Sequence, residues 1–131
     1  MACQRENLYF TDDDRLFSHT WQLVQIQGRK LDALSNSNLR FDKRTNEDLI
    51  YFGAFGVCNQ LFGKVEITDT LGGISFSNVG STFIGCDKVS QEQFLANTLQ
   101  NVKSYRLTEG FLMLLDRNGV VRLTYRQTEA S

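Results

Sequence analysis

Two cysteines of this chain lie in small-residue segments where a thiol could act as a nucleophile. Cys58 follows Gly56 in a glycine-rich stretch that ends at Gly63, and Cys86 follows a second such stretch. A thiol nucleophile needs a base to remove its proton, and the chain has a single histidine, His19. Nothing in the sequence orients this histidine or supplies an oxyanion hole. The residues therefore favour a structural His19, and we expect the protein not to be an enzyme.

Metal and phosphate sites have little support in the sequence. One histidine and two widely spaced cysteines provide neither the four ligands nor the Cys-x-x-Cys spacing of a zinc site. The acidic residues lack the regular spacing of a calcium loop. Neither glycine cluster precedes a helix with the Lys-Ser/Thr ending of a phosphate-binding loop. We therefore expect no metal and no cofactor.

The two inner cysteines have two structural interpretations, and the residues alone leave both equally open. In the first, Cys58 and Cys86 form a disulfide, which would stabilise the fold by about 3 to 4 kcal/mol through loop closure and would require an oxidising compartment. In the second, they are buried free thiols that behave as small hydrophobes in a reducing cytosol.

The composition is that of one ordinary globular domain. The chain has 131 residues, of which 41% are hydrophobic and 22% are charged, and it includes 10 phenylalanines. A formal net charge of -1, with scattered Lys and Arg, gives no basic surface for nucleic acid. No apolar run is long enough to span a membrane.

Hydrophobic patterning predicts mostly short strands joined by short turns. Apolar and polar residues alternate over several segments of four to eight residues. Asp116 to Gly119 is a tight hairpin signal between the last two segments. The predicted strands are residues 19–27, 39–42, 49–52, 61–68, 74–76, 104–108, 111–115 and 120–126.

One segment has the period of an α-helix and ends near Lys103. Ser90 and Gln93 fit a capping box at its start, and Glu92 would lie there beside the positive end of the helix dipole. Its apolar stripe consists of Phe94, Leu95, Leu99 and Val102.

These elements predict a mainly β (α+β) fold. We expect a partly open antiparallel β-barrel of seven or eight short strands with one helix packed against it. Aromatic side chains in such a barrel either fill the core, which is more usual, or line a cavity for an apolar ligand. The residues concerned are Phe52, Phe55, Phe62, Phe76, Phe83 and Phe94.

The first residues differ in character from the domain that follows. We predict a flexible tether over residues 1–17, with the acidic run at 12–14, and a domain over residues 18–128. Residues 6–10 resemble most of an engineered protease site, so part of the tether could derive from cloning. Ala2 and Cys3 fit the end of a bacterial lipoprotein signal, in which the cysteine becomes the lipidated first residue. The alternative is that Cys3 is an incidental terminal thiol.

Several short motifs follow one another in order over residues 19–126. They are Trp21-x-Leu23-x-x-Ile26-x-Gly28, Leu39-x-Phe41, Gly56-Val57-Cys58-Asn59-x-x-x-Gly63, Ser81-Thr82-x-x-x-Cys86, the helix that includes Glu92, and Leu112-x-Leu114. This ordered combination resembles the META domain family, which includes the HslJ heat-shock proteins. The chain departs from the family pattern at Val57, where a small residue is usual, and at the Asp87-Lys88 pair after Cys86.

The resemblance implies properties that the residues alone do not. It implies a disulfide between Cys58 and Cys86, lipidation of Cys3, and a location in the bacterial cell envelope. Family members are linked to heat stress, novobiocin resistance, virulence and secretion, and no catalytic residue set comes with the family. The family motif residues in this chain are Trp21, Gly28, Gly56, Cys58, Asn59, Gly63, Ser81, Thr82 and Cys86.

We therefore expect a non-enzymatic envelope (lipo)protein, either periplasmic or anchored to the outer membrane by lipid. It would bind an envelope protein or an apolar ligand during envelope or heat stress, drug resistance or secretion. We expect a monomer that binds no nucleic acid and has no transmembrane segment. The alternative function is a secreted inhibitor of a peptidase or other hydrolase, which would present a rigid, exposed loop.

Overall fold

The computed structural model describes residues 12–28, 31–43, 49–68, 72–82, 85 and 87–130, and for residues 12–14, 32–33 and 129–130 it describes the backbone alone. Eight antiparallel strands form a curled half-barrel against which one long helix packs, as the sequence predicts. In chain order the elements are α1 (Asp12–Phe17), β1 (His19–Ile26), a 3-10 helix (Asp32–Asn36), β2 (Asn38–Lys43), β3 (Ile50–Phe55), β4 (Gln60–Ile67), β5 (Ile74–Ser81), α2 (Val89–Gln100), β6 (Val102–Thr108), β7 (Phe111–Asp116) and β8 (Val121–Ala130).

The sheet consists of two meanders joined through β1 and β8. Its strand order is β5-β4-β3-β2-β1-β8-β7-β6, so β5 and β6 are the two edges. The edges meet at one end, where Gly73 and Ser104 form an isolated antiparallel bridge and the Tyr105 N–H donates to the Gly72 carbonyl over 2.7 Å. Helix α2 connects the two edge strands in sequence and packs against β5 and the 3-10 helix.

Side chains fill the inside of the half-barrel. Trp21 is 1% exposed, and its indole N–H donates to the Leu16 carbonyl over 3.1 Å. Phe52 and Phe76 pack edge to face with their ring centres 5.1 Å apart, so these two residues belong to the core. Phe62 lies on the outside and is 48% exposed, and Phe83 lies outside the described residues. Other fully buried core residues are Leu23, Leu34, Leu39, Leu95, Leu99, Leu112, Leu114, Leu123 and Tyr125.

The predicted alternation is confirmed along the strands that carry it most clearly. In β4, Leu61 and Val65 are buried, whereas Phe62, Lys64 and Glu66 are exposed. The Asp116–Gly119 hairpin is present, with Gly119 at φ +80 and its N–H donating to the Asp116 carbonyl over 2.9 Å. A positive φ is a conformation that glycine adopts without the steric cost that a Cβ would add.

The N-terminal boundary differs from the prediction of a tether up to residue 17. Residues 12–17 form α1, and Leu16 is fully buried in the core. Phe17 packs edge to face against Phe41 of β2, with ring centres 5.7 Å apart. The acidic run hides this helix from a pattern search, because only one turn of it carries apolar residues. Cys3 and the rest of residues 1–11 lie outside the described residues.

The predicted capping box at the start of α2 is wrong. The helix begins at Val89, so Ser90 lies inside the first turn, and the residue at the cap position, Lys88, makes no side-chain cap. Glu92 is not an exposed partner of the helix dipole either. It is one of the three buried residues of α2, together with Leu95 and Leu99.

Candidate functional site

The candidate site is built around the carboxylate of Glu92, which is 3% exposed. Glu92, Leu95 and Leu99 occupy positions i, i+3 and i+7 and therefore share the face of α2 that packs onto the barrel. Burying an ionised carboxylate is costly unless hydrogen-bond donors replace the water that it loses. The surroundings of Glu92 supply such donors.

The turn between β3 and β4 directs three consecutive backbone N–H groups at one oxygen of Glu92. The N–H groups of Val57, Cys58 and Asn59 donate to Glu92 Oε2 over 2.7, 2.6 and 2.5 Å. The turn is itself closed by the Gly56 N–H, which donates to the Asn59 carbonyl over 2.9 Å. Successive N–H groups that converge in this way form an anion-binding nest.

Gly56 is required by the closeness of Glu92 to the turn. A Cβ at position 56 would lie 2.8 Å from Glu92 Oε2 and 2.9 Å from its Cγ. Any side chain would therefore push the carboxylate away from the three N–H groups. This gives a physical reason for the glycine of the Gly56-Val57-Cys58-Asn59 motif.

The side chain of Asn59 extends the network to the next strand. Its amide donates to Glu92 Oε1 over 2.9 Å, and its oxygen accepts a hydrogen bond from the Thr82 hydroxyl over 2.9 Å. The Thr82 hydroxyl also accepts from the Gln60 N–H over 3.1 Å. We call Gly56, Val57, Cys58, Asn59, Thr82 and Glu92 the Glu92 cluster. It connects α2, the β3–β4 turn and the end of β5.

The hydrogen bonds decide the charge state of Glu92. Burial alone would raise its pKa, but the Asn59 side-chain amide and the N–H groups of Asn59, Val57 and Cys58 outweigh burial and lower the pKa below its ordinary value of 4.5. Three of the four donors share Oε2, and the fourth binds Oε1. Glu92 is thus held ionised by fixed donors, which suits a structural anion and does not suit a general base.

The histidine that would have to act as the base for a Cys58 nucleophile lies elsewhere in the structure. Cys58 lies beyond the end of β3, whereas His19 lies on β1, with β2 between these strands. The register pairs Trp21 with Leu39 and Leu39 with Ala54, so His19 lies toward the opposite end of the strands from Cys58. The His19 ring packs edge to face on Trp21 with ring centres 5.9 Å apart. The structure therefore does not bring Cys58 and His19 together.

The other family motif residues have structural positions. Trp21 is in the core, and Gly28 has φ +82 in the turn after β1. Gly63 faces a bulge in β5, and a Cβ there would lie 2.7 Å from the Ser77 carbonyl oxygen and 2.8 Å from the Phe52 ring. Ser81 is exposed at the end of β5. Cys86 lies outside the described residues, so its pairing with Cys58 stays a prediction.

The role of Glu92 was missed from the sequence, although a signal for it exists. An acidic residue at the i position of a stripe that continues with Leu95 and Leu99 must either break the apolar face or be satisfied inside it. The Gly56–Asn59 turn, whose glycine lets a carboxylate approach the backbone N–H groups, is the complementary signal.

The described residues contain neither a cluster of metal ligands nor a membrane-spanning helix. Within the described ranges, no group of three or more His, Cys, Asp or Glu side chains is placed to hold a metal ion. No helix within those ranges is both long and apolar enough to cross a bilayer.

Comparisons with known proteins agree with this fold. The META domain family model matches residues 14–129. An NMR structure of a protein from Burkholderia xenovorans superposes with a TM-score of 0.63 at 20% identity, covering 88% of this chain and 85% of that one. A crystal structure of a DUF4847 family protein from Bacteroides vulgatus superposes with a TM-score of 0.66 at 12% identity. The match covers 92% of this chain and 100% of that one. No protein with a curated description matches the chain in sequence. At these identities the two structures support the fold alone.

Proposed function

The chain belongs to the META domain family, and we propose that it is a non-enzymatic protein of the bacterial cell envelope that acts by binding a partner at its outer surface. The observation that carries the proposal is the burial of Glu92, which is 3% exposed and accepts four hydrogen bonds from the β3–β4 turn. The buried polar group most suited to chemistry is thereby committed to joining α2 to the barrel.

The packing of the interior supports a surface role over a lipid-sized cavity. Trp21, Phe52 and Phe76 lie in the space where a barrel would hold an apolar ligand. The pocket beside the Glu92 cluster, between α2 and β5, has about 160 Å³, and the larger hollows, of up to about 700 Å³, are open grooves elsewhere on the surface. Drug-sized ligands usually occupy about 300 to 1,000 Å³. The partner that suits this domain best is therefore another protein.

An envelope location fits a disulfide between Cys58 and Cys86, which is part of the proposal. The Thr82 N–H donates to the Gln60 carbonyl over 3.0 Å, and its hydroxyl donates to Asn59. The segment that leads to Cys86 therefore starts beside the turn that contains Cys58. Lipidation of Cys3 would hold this domain at a membrane surface.

The experiment is mass spectrometry of the full-length precursor, expressed with its leader in a native envelope. We expect a diacyl or triacyl mass on Cys3, and Cys58 and Cys86 should react with an alkylating reagent only after reduction. A Cys3→Ser variant is the matched control and should leave the membrane fraction. An unmodified Cys3, or full labelling of the inner thiols without reductant, would contradict the envelope proposal.

The absence of catalysis can be tested in the same strain. Cys58→Ser and His19→Gln variants that retain the fold should support the same survival under heat or envelope stress as the parent chain. A complete loss of survival with an intact fold in both variants would indicate that the two side chains do chemistry.

The inhibitor alternative has one specific observation in its favour. Asp116 fixes the β7–β8 turn, because its carboxylate accepts hydrogen bonds from the Asn118 and Val120 N–H groups over 2.9 and 3.1 Å and from Arg122 Nε over 2.8 Å. Arg117 is exposed on this fixed turn. The test measures inhibition of one representative peptidase from each class. Inhibition by the parent chain that is lost in the Arg117→Ala variant would favour the alternative. Arg126→Ala, at another exposed arginine, is the control.

A further inference from the structure

The outer face of β2 to β5 contains a row of alternating large residues and glycines. The register aligns Arg40 with Gly53, Gly53 with Phe62, and Phe62 with Gly80 on four adjacent strands. These residues point away from the core, since their neighbours along the strands, such as Leu39, Ala54 and Leu61, are buried. Phe62 is 48% exposed and is the most exposed of the large hydrophobic residues in the described part of the chain.

Each large side chain of this row lies across the glycine of the next strand. A Cβ at Gly53 would lie 2.9 Å from Arg40 Nη2, and a Cβ at Gly80 would lie 3.0 Å from Phe62 Cε1. The two glycines therefore provide the space in which the guanidinium and the phenyl ring rest on the sheet. Side chains held in this way have less conformational freedom to lose when a partner binds.

The guanidinium of Arg40 has no carboxylate partner among the described residues. Its two contacts are to neutral amide oxygens and are long, at 3.5 Å from Nη1 to Asn38 Oδ1 and 3.4 Å from Nη2 to Gln60 Oε1. Arg40 is also exposed. An arginine that is already positioned but not paired can form a bidentate, charge-assisted interaction with a carboxylate from outside.

Aromatic side chains lie on the same face of the sheet as this guanidinium. Tyr51 and Phe55 are half-buried on the same face of β3, on either side of Gly53. Tyr51 and Phe62, together with Arg40 and Asp42, line a shallow groove of about 510 Å³ that runs over Gly53. We call this surface, made of Arg40, Tyr51, Gly53, Phe55, Phe62 and Gly80, the Arg40–Phe62 face.

We propose that the Arg40–Phe62 face docks a segment of a partner protein that carries a carboxylate beside an aromatic or large aliphatic side chain. Arginine and aromatic residues are the types enriched at interfaces and at the residues that dominate their binding energy. The carboxylate pairs with Arg40, and the apolar side chain covers Phe62 and the groove over Gly53. The inference rests on the proposed surface-binding function and names the partner's chemistry.

The test is an NMR titration of the full chain with defined peptides. The probe is an acetylated, amidated hexapeptide in which one aspartate stands beside one phenylalanine, and the two reference peptides replace the aspartate with asparagine or the phenylalanine with alanine. We expect saturable shifts confined to backbone amides of β2 to β5 around Gly53 and Phe62. Loss of the charge or of the ring should weaken binding at least about tenfold, as expected for one charge-assisted contact.

Substitutions in the protein test whether the peptide binds at the Arg40–Phe62 face. Binding of the aspartate peptide should be at least about tenfold weaker in the Arg40→Gln variant and in the Phe62→Ser variant. Arg126→Gln, which changes an exposed arginine on β8, is the matched control and should bind like the parent chain. Amide spectra of all three variants report whether the fold is kept, and both test positions are on the surface, so loss of folding is not expected.

Several results would overturn the inference. These are equal binding of the asparagine peptide, equal behaviour of Arg40→Gln and Arg126→Gln, shifts confined to another surface, or no shifts at millimolar peptide. Concentration-dependent shifts of this face without peptide would make a second copy its occupant, and shifts with anionic vesicles but not with peptide would make it a membrane contact. The titration uses purified protein and does not depend on where the protein is located. A negative titration would therefore contradict this inference alone, and the envelope location is tested separately by mass spectrometry.

Discussion

Asn59 is bound to Glu92 twice: its backbone N–H donates to Glu92 Oε2 over 2.5 Å, and its side-chain amide donates to Glu92 Oε1 over 2.9 Å. One residue of the β3–β4 turn thus contacts both oxygens of a carboxylate on α2. These bonds therefore hold α2, which connects the two edge strands, against the β3–β4 turn.

Removing the charge of Glu92 should destabilise the fold. Glu92→Gln replaces one acceptor oxygen with a donor and makes the remaining hydrogen bonds neutral, so we expect a loss of about 2 to 3 kcal/mol in the free energy of unfolding. Urea denaturation measures the loss. Glu66→Gln, at an exposed position of β4, is the control and should change stability by less than about 0.5 kcal/mol. Equal effects of the two substitutions would mean that the Glu92 cluster does not stabilise the domain.

The contribution of Glu92 should depend on pH. Its pKa is lower in the folded state than its ordinary value of 4.5, so the unfolded chain binds the proton more tightly. The carboxylate therefore stabilises the fold above the unfolded pKa, and this contribution is lost as the pH falls through the folded pKa. We expect the stability difference between the parent chain and Glu92→Gln to be constant near neutral pH and to shrink below about pH 4.5.

The pKa of Asp116 is also lowered in the folded state, so its contribution to the pH dependence of stability must be separated from that of Glu92. The hydrogen bond from Arg122, together with those from the Val120 and Asn118 N–H groups, lowers the pKa of Asp116. Since Asp116 is present in both proteins, subtracting the two pH profiles removes its contribution. A difference that stays constant to pH 2.5 would contradict the assignment of the pH dependence to Glu92.

The hydroxyl of Tyr125 should be dispensable. Tyr125 is fully buried, and its hydroxyl has no hydrogen-bond partner among the described residues. Burial also raises the pKa of Tyr125, so the hydroxyl should ionise only when the chain unfolds in alkali. Tyr125→Phe removes an unsatisfied polar group, and we expect stability to be unchanged or to rise by up to about 1 kcal/mol. A loss above about 1 kcal/mol would show that a buried water satisfies the hydroxyl.

Gly63 should not tolerate a side chain. A Cβ would lie 2.7 Å from the Ser77 carbonyl oxygen, 2.8 Å from the Phe52 ring and 3.1 Å from the Asn78 carbonyl oxygen. We expect Gly63→Ala to cost about 2 kcal/mol because two of these neighbours are backbone atoms that cannot easily move. Gly85→Ala is the comparison, since nothing lies within 4 Å of a Cβ at that position. Equal midpoints in a denaturant titration would contradict the close packing of β4 against the bulge.

The N-terminal helix should contribute to stability. Leu16 is fully buried, so Leu16→Ala is expected to lower the free energy of unfolding by about 2 to 5 kcal/mol. Leu49→Ala removes the same atoms at a position that is 38% exposed and should cost less than about 1 kcal/mol. If the two variants unfold at the same denaturant concentration, α1 is not part of the cooperative unit.

Local patterns predicted most of the strands, because alternation is a property of neighbouring residues. β4 and β8 follow this rule, and the Asp116–Gly119 turn is encoded within four residues. The pairing of β1 with β8 could not be predicted in this way, since no local pattern specifies which distant strand completes a sheet. Helix α1 was missed because a single apolar turn after three aspartates has no detectable period.

The candidate site was predictable only in part. Resemblance to a family identified Gly56, Cys58, Asn59 and Thr82 as a group but gave no reason for them. The reason is the carboxylate of Glu92, which lies more than thirty residues from the β3–β4 turn in sequence and was assigned to the helix dipole. Hydrogen bonds between distant segments depend on packing, which the sequence does not specify locally.

The junction of β1 with β8 also sets the order in which the protein can assemble. These two strands come from opposite ends of the chain, with His19 opposite Ala130, yet they lie in the middle of the sheet. Each of the two meanders has short loops and can form early, whereas joining them requires closure of a loop that spans nearly the whole chain. The two meanders can therefore form while the chain emerges from a ribosome or a translocation pore, but the sheet is completed only after β8 has emerged.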